Sequence, residues 1–252
     1  MILSVTFLVV ATVAIATMCL APRMGRGNVI YRLSPDRPHP FGYDMSWIAI
    51  RTRDTEAVLD ALAVEGETAA NWNSGIGTVY DSRLGSERVF VSPPVGAWTF
   101  VVGVALPHPV GSDYLDKCTP LLSRLASSFV EVQYFFSYPA LDFYSWVRFN
   151  AGRLERALAS TDRGIVWSKG RLTAAERDLG LKHFDIRGLA CRSGDAGGAI
   201  LMAPTEEHVM GVARLWSLDP TRLQDSDAPP ALGYIVPAPR AWRTERVCRS
   251  AA

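Results

Sequence analysis

The chain has 252 residues, 48% of them hydrophobic, and a formal net charge of +1. That length supports one large domain or two small ones with a core that needs no staples, and the near-zero charge excludes the basic excess of a dedicated nucleic-acid binder. Cys19, Cys118, Cys191 and Cys248 are far apart, which excludes a disulfide framework and a closely spaced zinc site.

Residues 1–21 contain no charged side chain. As a helix this run spans roughly 30 Å, the hydrocarbon thickness of a bilayer. Arg23, Arg26 and Arg32 follow it. The positive-inside rule then predicts a single-pass inner-membrane anchor with the rest of the chain in the cytoplasm. Ala14-Ile15-Ala16 offers a cleavage site, so an export signal with a periplasmic domain is the alternative. Met45 is an alternative start. Residues 22–44, with Pro35, Pro38, Pro40 and Gly42, read as an irregular linker.

A globular domain is expected over residues 45–223. Trp47-Ile48-Ala49-Ile50 reads as a buried strand, and Asp54 caps a helix with Val58, Leu59 and Leu62 on one face. Residues 75–81 and 88–91 read as strands around Gly85-Ser86, and residues 98–106 as a central strand. Thr119 and Pro120 are expected to open a helix bearing Leu121, Leu122, Leu125 and Phe129. Residues 131–137 and 142–150 form a predicted hairpin around Pro139, followed by strands at 154–160 and 164–168. Thr173 to Glu176 is a capping box for a short helix ended by Gly180. A last helix follows Thr205 with Val209, Val212 and Trp216 inward, and residues 224–252 read as a Pro-rich, Arg-rich irregular tail. The class is α+β: a mainly antiparallel sheet with a few helices packed on one face, behind one N-terminal transmembrane or signal segment.

Chemistry-bearing motifs are sparse. Cys191 to Gly198 resembles the nucleophile loop of trypsin-like serine proteases, with Ala196 where the serine belongs, so it has nothing for a base to activate. His39, His108, His183 and His208 form no H-x-x-x-H pair, and no phosphate-binding glycine loop occurs. No metal, cofactor or nucleic acid is expected. His183 with Asp185, and Glu206 and Glu207 with His208, are acid–base candidates whose plainer reading is a surface pair and a helix first turn.

Two binding candidates remain. On the predicted strand 142–150, Asp142, Tyr144, Trp146 and Arg148 share one face, a composition suited to a protein interface. In the tail, Arg240, Arg243, Arg246 and Arg249 recur every third residue and, if helical, present a basic stripe to anionic lipid or an acidic partner.

The segments 45–50, 97–103, 131–135 and 216–221 together resemble uncharacterised bacterial α+β proteins of GC-rich genomes, similar in general character to immunity proteins of contact-dependent toxin systems. The resemblance covers roughly residues 45 to 223 and carries no catalytic residue. It implies a membrane-tethered, non-catalytic protein that neutralises a cognate toxin by direct binding. The alternatives are a hydrolase with a dispersed site, using His183, Asp185 or Asp142, and an accessory component of an envelope complex.

Overall fold

In a computed structural model, residues 31–110, 114–162, 164–181 and 204–246 are described. The leader at 1–21, His183, Asp185, Cys191 to Gly198 and Arg249 lie outside them. No helix among the described residues is long and apolar enough to cross a membrane.

Nine strands form one sheet: β1 (Ser46–Ile50), β2 (Thr68–Asn71), β3 (Arg88–Val91), β4 (Thr99–Val102), β5 (Glu131–Tyr138), β6 (Phe143–Asn150), β7 (Arg153–Thr161), β8 (Gly164–Lys169) and β9 (Leu232–Pro237). Their order is β2-β9-β3-β4-β1-β5-β6-β7-β8, and every neighbouring pair is antiparallel. Five α-helices are described: α1 (Thr55–Leu62), α2 (Trp72–Tyr80), α3 (Cys118–Ser128), α4 (Ala174–Asp178) and α5 (Glu206–Trp216).

The α+β class is as expected, but helices lie on both faces of the sheet. On one face, Ile48, Ile50, Val101, Val132, Tyr134 and Val147 pack with Val58, Leu59 and Leu62 of α1 and Leu121, Leu122 and Leu125 of α3. Strand alternation sends Trp47, Phe100, Phe135, Trp146 and Arg156 to the other face. There Phe41 meets Trp47 and Phe100 edge-on, and Phe135 packs between Trp47 and Trp216 of α5. This double burial explains why every residue of β1 and β4 is buried and all but Ser46 and Thr99 are apolar.

Several predicted elements stand. Asp54 accepts from Ala57 N at 3.0 Å and caps α1. Thr173 and Glu176 form both bonds of the capping box of α4. For α3, Asp116 rather than Thr119 supplies the cap, accepting from Cys118 N and Thr119 N, so the helix opens earlier than expected.

Three segments differ. Residues 75–81, expected as a strand, belong to α2. Asn71 accepts from Ser74 N at 3.0 Å, and Asp36 accepts from Trp72 N at 2.7 Å and Asn73 N at 3.0 Å. Asp36, far upstream, thus satisfies first-turn donors that β-rich local propensity argues against. Second, the described part of the expected linker is packed structure: Phe41 is buried, and Asn71 bonds Arg32 O and Ser34 O. Third, the expected irregular tail contains β9, which pairs with β2 on one side and β3 on the other.

Helix α2 approaches the sheet closely at Gly75, where a Cβ would stand 2.3 Å from Phe90 Cδ2. Gly to Ala inside a helix ordinarily stabilises by about 1 kcal/mol. Here Gly75→Ala is expected to destabilise by about 1–3 kcal/mol through overpacking, read from urea unfolding. A gain in stability would refute the close approach.

Candidate functional site

The predicted interface face of β6 is largely interior. Trp146 is fully buried and donates from Nε1 to Glu176 Oε1 at 2.9 Å. Glu176 also takes Arg156 Nε at 2.7 Å and Thr173 N at 2.8 Å. Arg148 is only partly exposed. Its Nε and Nη2 lie 2.9 and 2.8 Å from Glu131 Oε1, and its guanidinium sits 5.6 Å over the Trp216 ring. Glu131 further receives Gln133 Nε2 at 2.9 Å and faces Arg51 at 3.5 Å. Gln133 Nε2 also reaches Trp216 O at 3.1 Å, so this network pins the C-terminal end of α5 to the sheet. Trp146 and Arg148 therefore hold helices down and present no free face to a partner. The alternation was legible in sequence. That the two helices expected after Thr173 and Thr205 cover this face was not, because they come from distant sequence.

Among the described residues the tail arginines form no helical stripe: Arg240–Trp242 is one 3-10 turn, and Arg243 is already extended. Arg243 pairs with Glu87 at 3.6 Å, and Arg246 lies 5.9 Å over the Tyr114 ring. Trp242 is buried between α3 and the loop after β4, so the tail is a strap on the α1/α3 face.

The histidines have structural surroundings. His208 Nδ1 accepts from Thr205 N at 3.1 Å, filling the capping-box place usually taken by Glu or Gln. Burial holds its imidazole below the ordinary value against the opposing charge of Glu207. His108 stacks on Phe136 and meets Phe143 edge-on, and burial lowers its pKa against a backbone bond to Leu106. His39 stands 3.6 Å from Asp36. Among the described residues, no three His, Cys, Asp or Glu side chains group as metal ligands.

The other two predicted face residues, Asp142 and Tyr144, lie at the opposite end of β6 from Arg148. That end of the sheet gathers the start of β1, the turn between β5 and β6, the last residue of α2 and the first turn of α5. Asp142 sits in the turn itself with φ +46, a left-handed conformation Asp tolerates. Near it Tyr43, Tyr80 and Leu141 are 54, 44 and 62% exposed, whereas Tyr138 stacks on Phe136 on the α1/α3 side of the sheet.

The backbone there is fixed by specific bonds. Tyr80 Oη donates to Tyr43 O at 2.8 Å and accepts from Gly42 N at 3.2 Å. Ser137 Oγ and Asp44 N both donate to Glu206 Oε1, at 2.7 and 3.3 Å. A Cβ at Gly42 would meet Met210 of α5 at 3.0 Å. The phenols feel the local charge: burial, then Asp142, Glu206 and Asp44 in that order, raise Tyr144. Burial, with Asp44 and Glu206 adding, pushes Tyr80 up to about 12 despite its bond to Gly42. Asp44, Asp142, Glu206 and Glu207 form no salt bridge with a described residue. Sequence reading reached Asp142 and Tyr144 but missed Tyr43, Tyr80 and Leu141. Their one local signal was the concentration of tyrosine beside turn residues.

The opposite end of the sheet carries a groove of about 470 Å³ lined by Arg53, Pro94, Val95, Leu218 and Pro229 among others. Arg53 is committed to Gly96 O at 2.9 Å, and the Ser226 hydroxyl that also lines the groove donates to Leu223 O at 2.6 Å.

No family model, no curated protein and no solved structure matches the chain.

Proposed function

We propose that the chain is a non-catalytic binding protein, tethered to the membrane through residues 1–21, which acts as an immunity protein by docking onto a cognate bacterial toxin. The observation that carries this reading is the exposed set Tyr43, Tyr80 and Leu141 on a backbone already held by Tyr80 and Glu206. Tyrosine supplies large contact area at low entropic cost, and a preformed surface spares the ordering cost of association. Neutralisation by occlusion needs such a surface and no chemistry.

The test is co-expression with each candidate toxin encoded by a neighbouring gene, scored by growth, together with the affinity of the purified pair. Wild-type chain is expected to restore growth. Tyr43→Ala and Leu141→Ala are each expected to weaken binding by about 30-fold or more, the hot-spot range of about 2 kcal/mol, and to abolish protection. Full protection by both variants would remove this surface from the function, and absence of protection by the wild type would remove the immunity reading.

A further inference from the structure

At the Arg148 end, the carboxylates of Glu131 and Glu155 are both paired with arginine. At the tyrosine end, Asp44, Asp142, Glu206 and Glu207 have no cationic partner among the described residues. Glu206 and Glu207 lie in the first turn of α5, where the helix dipole accommodates them without a counter-ion. Asp44 and Asp142 have no helix terminus of this kind, since both sit at positive-φ positions beside strands. These carboxylates do not converge as metal ligands do. Tyr43 and Leu141 are exposed at the same end, and an exposed phenol ring accepts a cationic side chain on its face.

We infer that the occupant of the surface formed by Tyr43, Leu141, Asp44, Asp142 and Glu207 is a cationic protein face, which places arginine or lysine side chains against the phenol ring and carboxylates. This rests on the docking reading above and specifies its partner: a basic protein. Charge complementarity of this kind accelerates encounter and fixes orientation, while the apolar contacts at Tyr43 and Leu141 hold the complex.

The test is fluorescence anisotropy on the full chain with two labelled probe peptides, repeats of Arg-Gly-Ser-Gly and of Glu-Gly-Ser-Gly. The arginine probe is expected to bind and the glutamate probe not to bind. Affinity for the arginine probe is expected to fall about tenfold or more as salt rises from about 50 to about 300 mM. Asp142→Asn with Glu207→Gln is expected to weaken it at least about fivefold; asparagine suits the left-handed turn position. Asp60→Asn with Glu65→Gln makes the same charge change in and just after α1, on the other face of the sheet. That control is expected to leave binding within about twofold.

An equal response to both charge pairs would show diffuse attraction and overturn the inference, as would binding of the glutamate probe. The two readings separate cleanly. If Tyr43→Ser with Leu141→Ser abolishes cognate-partner binding while Asp142→Asn with Glu207→Gln changes neither partner nor probe, the cationic occupant falls and the docking surface stands. If the arginine probe responds as expected but no variant of this surface affects protection, the surface takes cations and the immunity reading falls. Self-association in sedimentation that these same variants dissolve would put a second copy on the surface and overturn the cationic occupant.

Discussion

Arg156→Leu is expected to cost about 3–5 kcal/mol of folding stability, because it leaves a buried carboxylate without its cation. Arg156 and Glu176 are both fully buried. Arg156 Nε donates to Glu176 Oε1 and Oε2 at 2.7 and 3.0 Å, and Nη1 donates to Ala157 O and Lys169 O, both at 3.0 Å. Nη2 stands 2.7 Å from Oε1 as a charge contact without hydrogen-bond alignment. One guanidinium thus ties β7, the end of β8 and α4 together, and Trp146 Nε1 brings in β6. Converting both partners, Arg156→Met with Glu176→Leu, is expected to fall within about 1–2 kcal/mol of wild type, since no orphan charge remains. Urea unfolding decides this, and a single substitution costing as little as the double would refute the account.

The same pair sets an acid response. Burial raises the Glu176 pKa, but the bonds from Arg156, Thr173 and Trp146 and the Arg156 charge outweigh it, and the net shift is below the ordinary 4.5. A carboxyl depressed on folding stabilises above its unfolded pKa and loses that contribution as pH falls through the folded value. The stability of wild type is therefore expected to fall below about pH 4.5, and that limb to flatten in Glu176→Gln.

Trp242→Ala is expected to cost about 3–5 kcal/mol. The indole fills space between Pro120, Leu121 and Arg124 on one side and Val104, Leu106 and His108 on the other. The strap around it has modest bonds: Ala238 N to Glu87 O at 2.8 Å, Leu115 N to Glu245 O at 2.9 Å, and Lys117 to Glu245 at 3.5 Å. Arg243→Ala removes only an exposed ion pair with Glu87 and is expected to change stability by less than about 1 kcal/mol. Urea unfolding with limited trypsin digestion separates the two, because loss of Trp242 is expected to open the chain to cleavage at Arg240 and Arg243. A tail that stays protected in Trp242→Ala would place its anchor elsewhere.

These contacts show why sequence carried some features and not others. Asp54 over α1, Thr173 with Glu176 over α4, and the alternation of β5 and β6 are short-range signals, and each is present in the fold. Helix α2 was misread because its residues 75–81 include two glycines and β-favouring Ile, Val and Tyr, while one of its caps, Asp36, lies far upstream. The binding face was misplaced for a related reason. Period-two spacing put Tyr144, Trp146 and Arg148 on one side of a strand, but spacing within one strand does not reveal what covers that side. Tyr43, Tyr80 and Leu141 come from three separate segments, and no single window of sequence contains them.

The position of β9 has a consequence for how the chain is made. Its ladder joins β2 to β3, so the last of the described strands to be synthesised is an interior one. Synthesis from the N-terminus leaves β2 without its strand partner, and β3 with one side unpaired, until residues 232–237 emerge. A chain stopped short of that segment is not the same sheet with a shorter edge. It is a seven-strand sheet with an open β3 edge and a detached β2, both exposing unpaired backbone of the kind that recruits other strands.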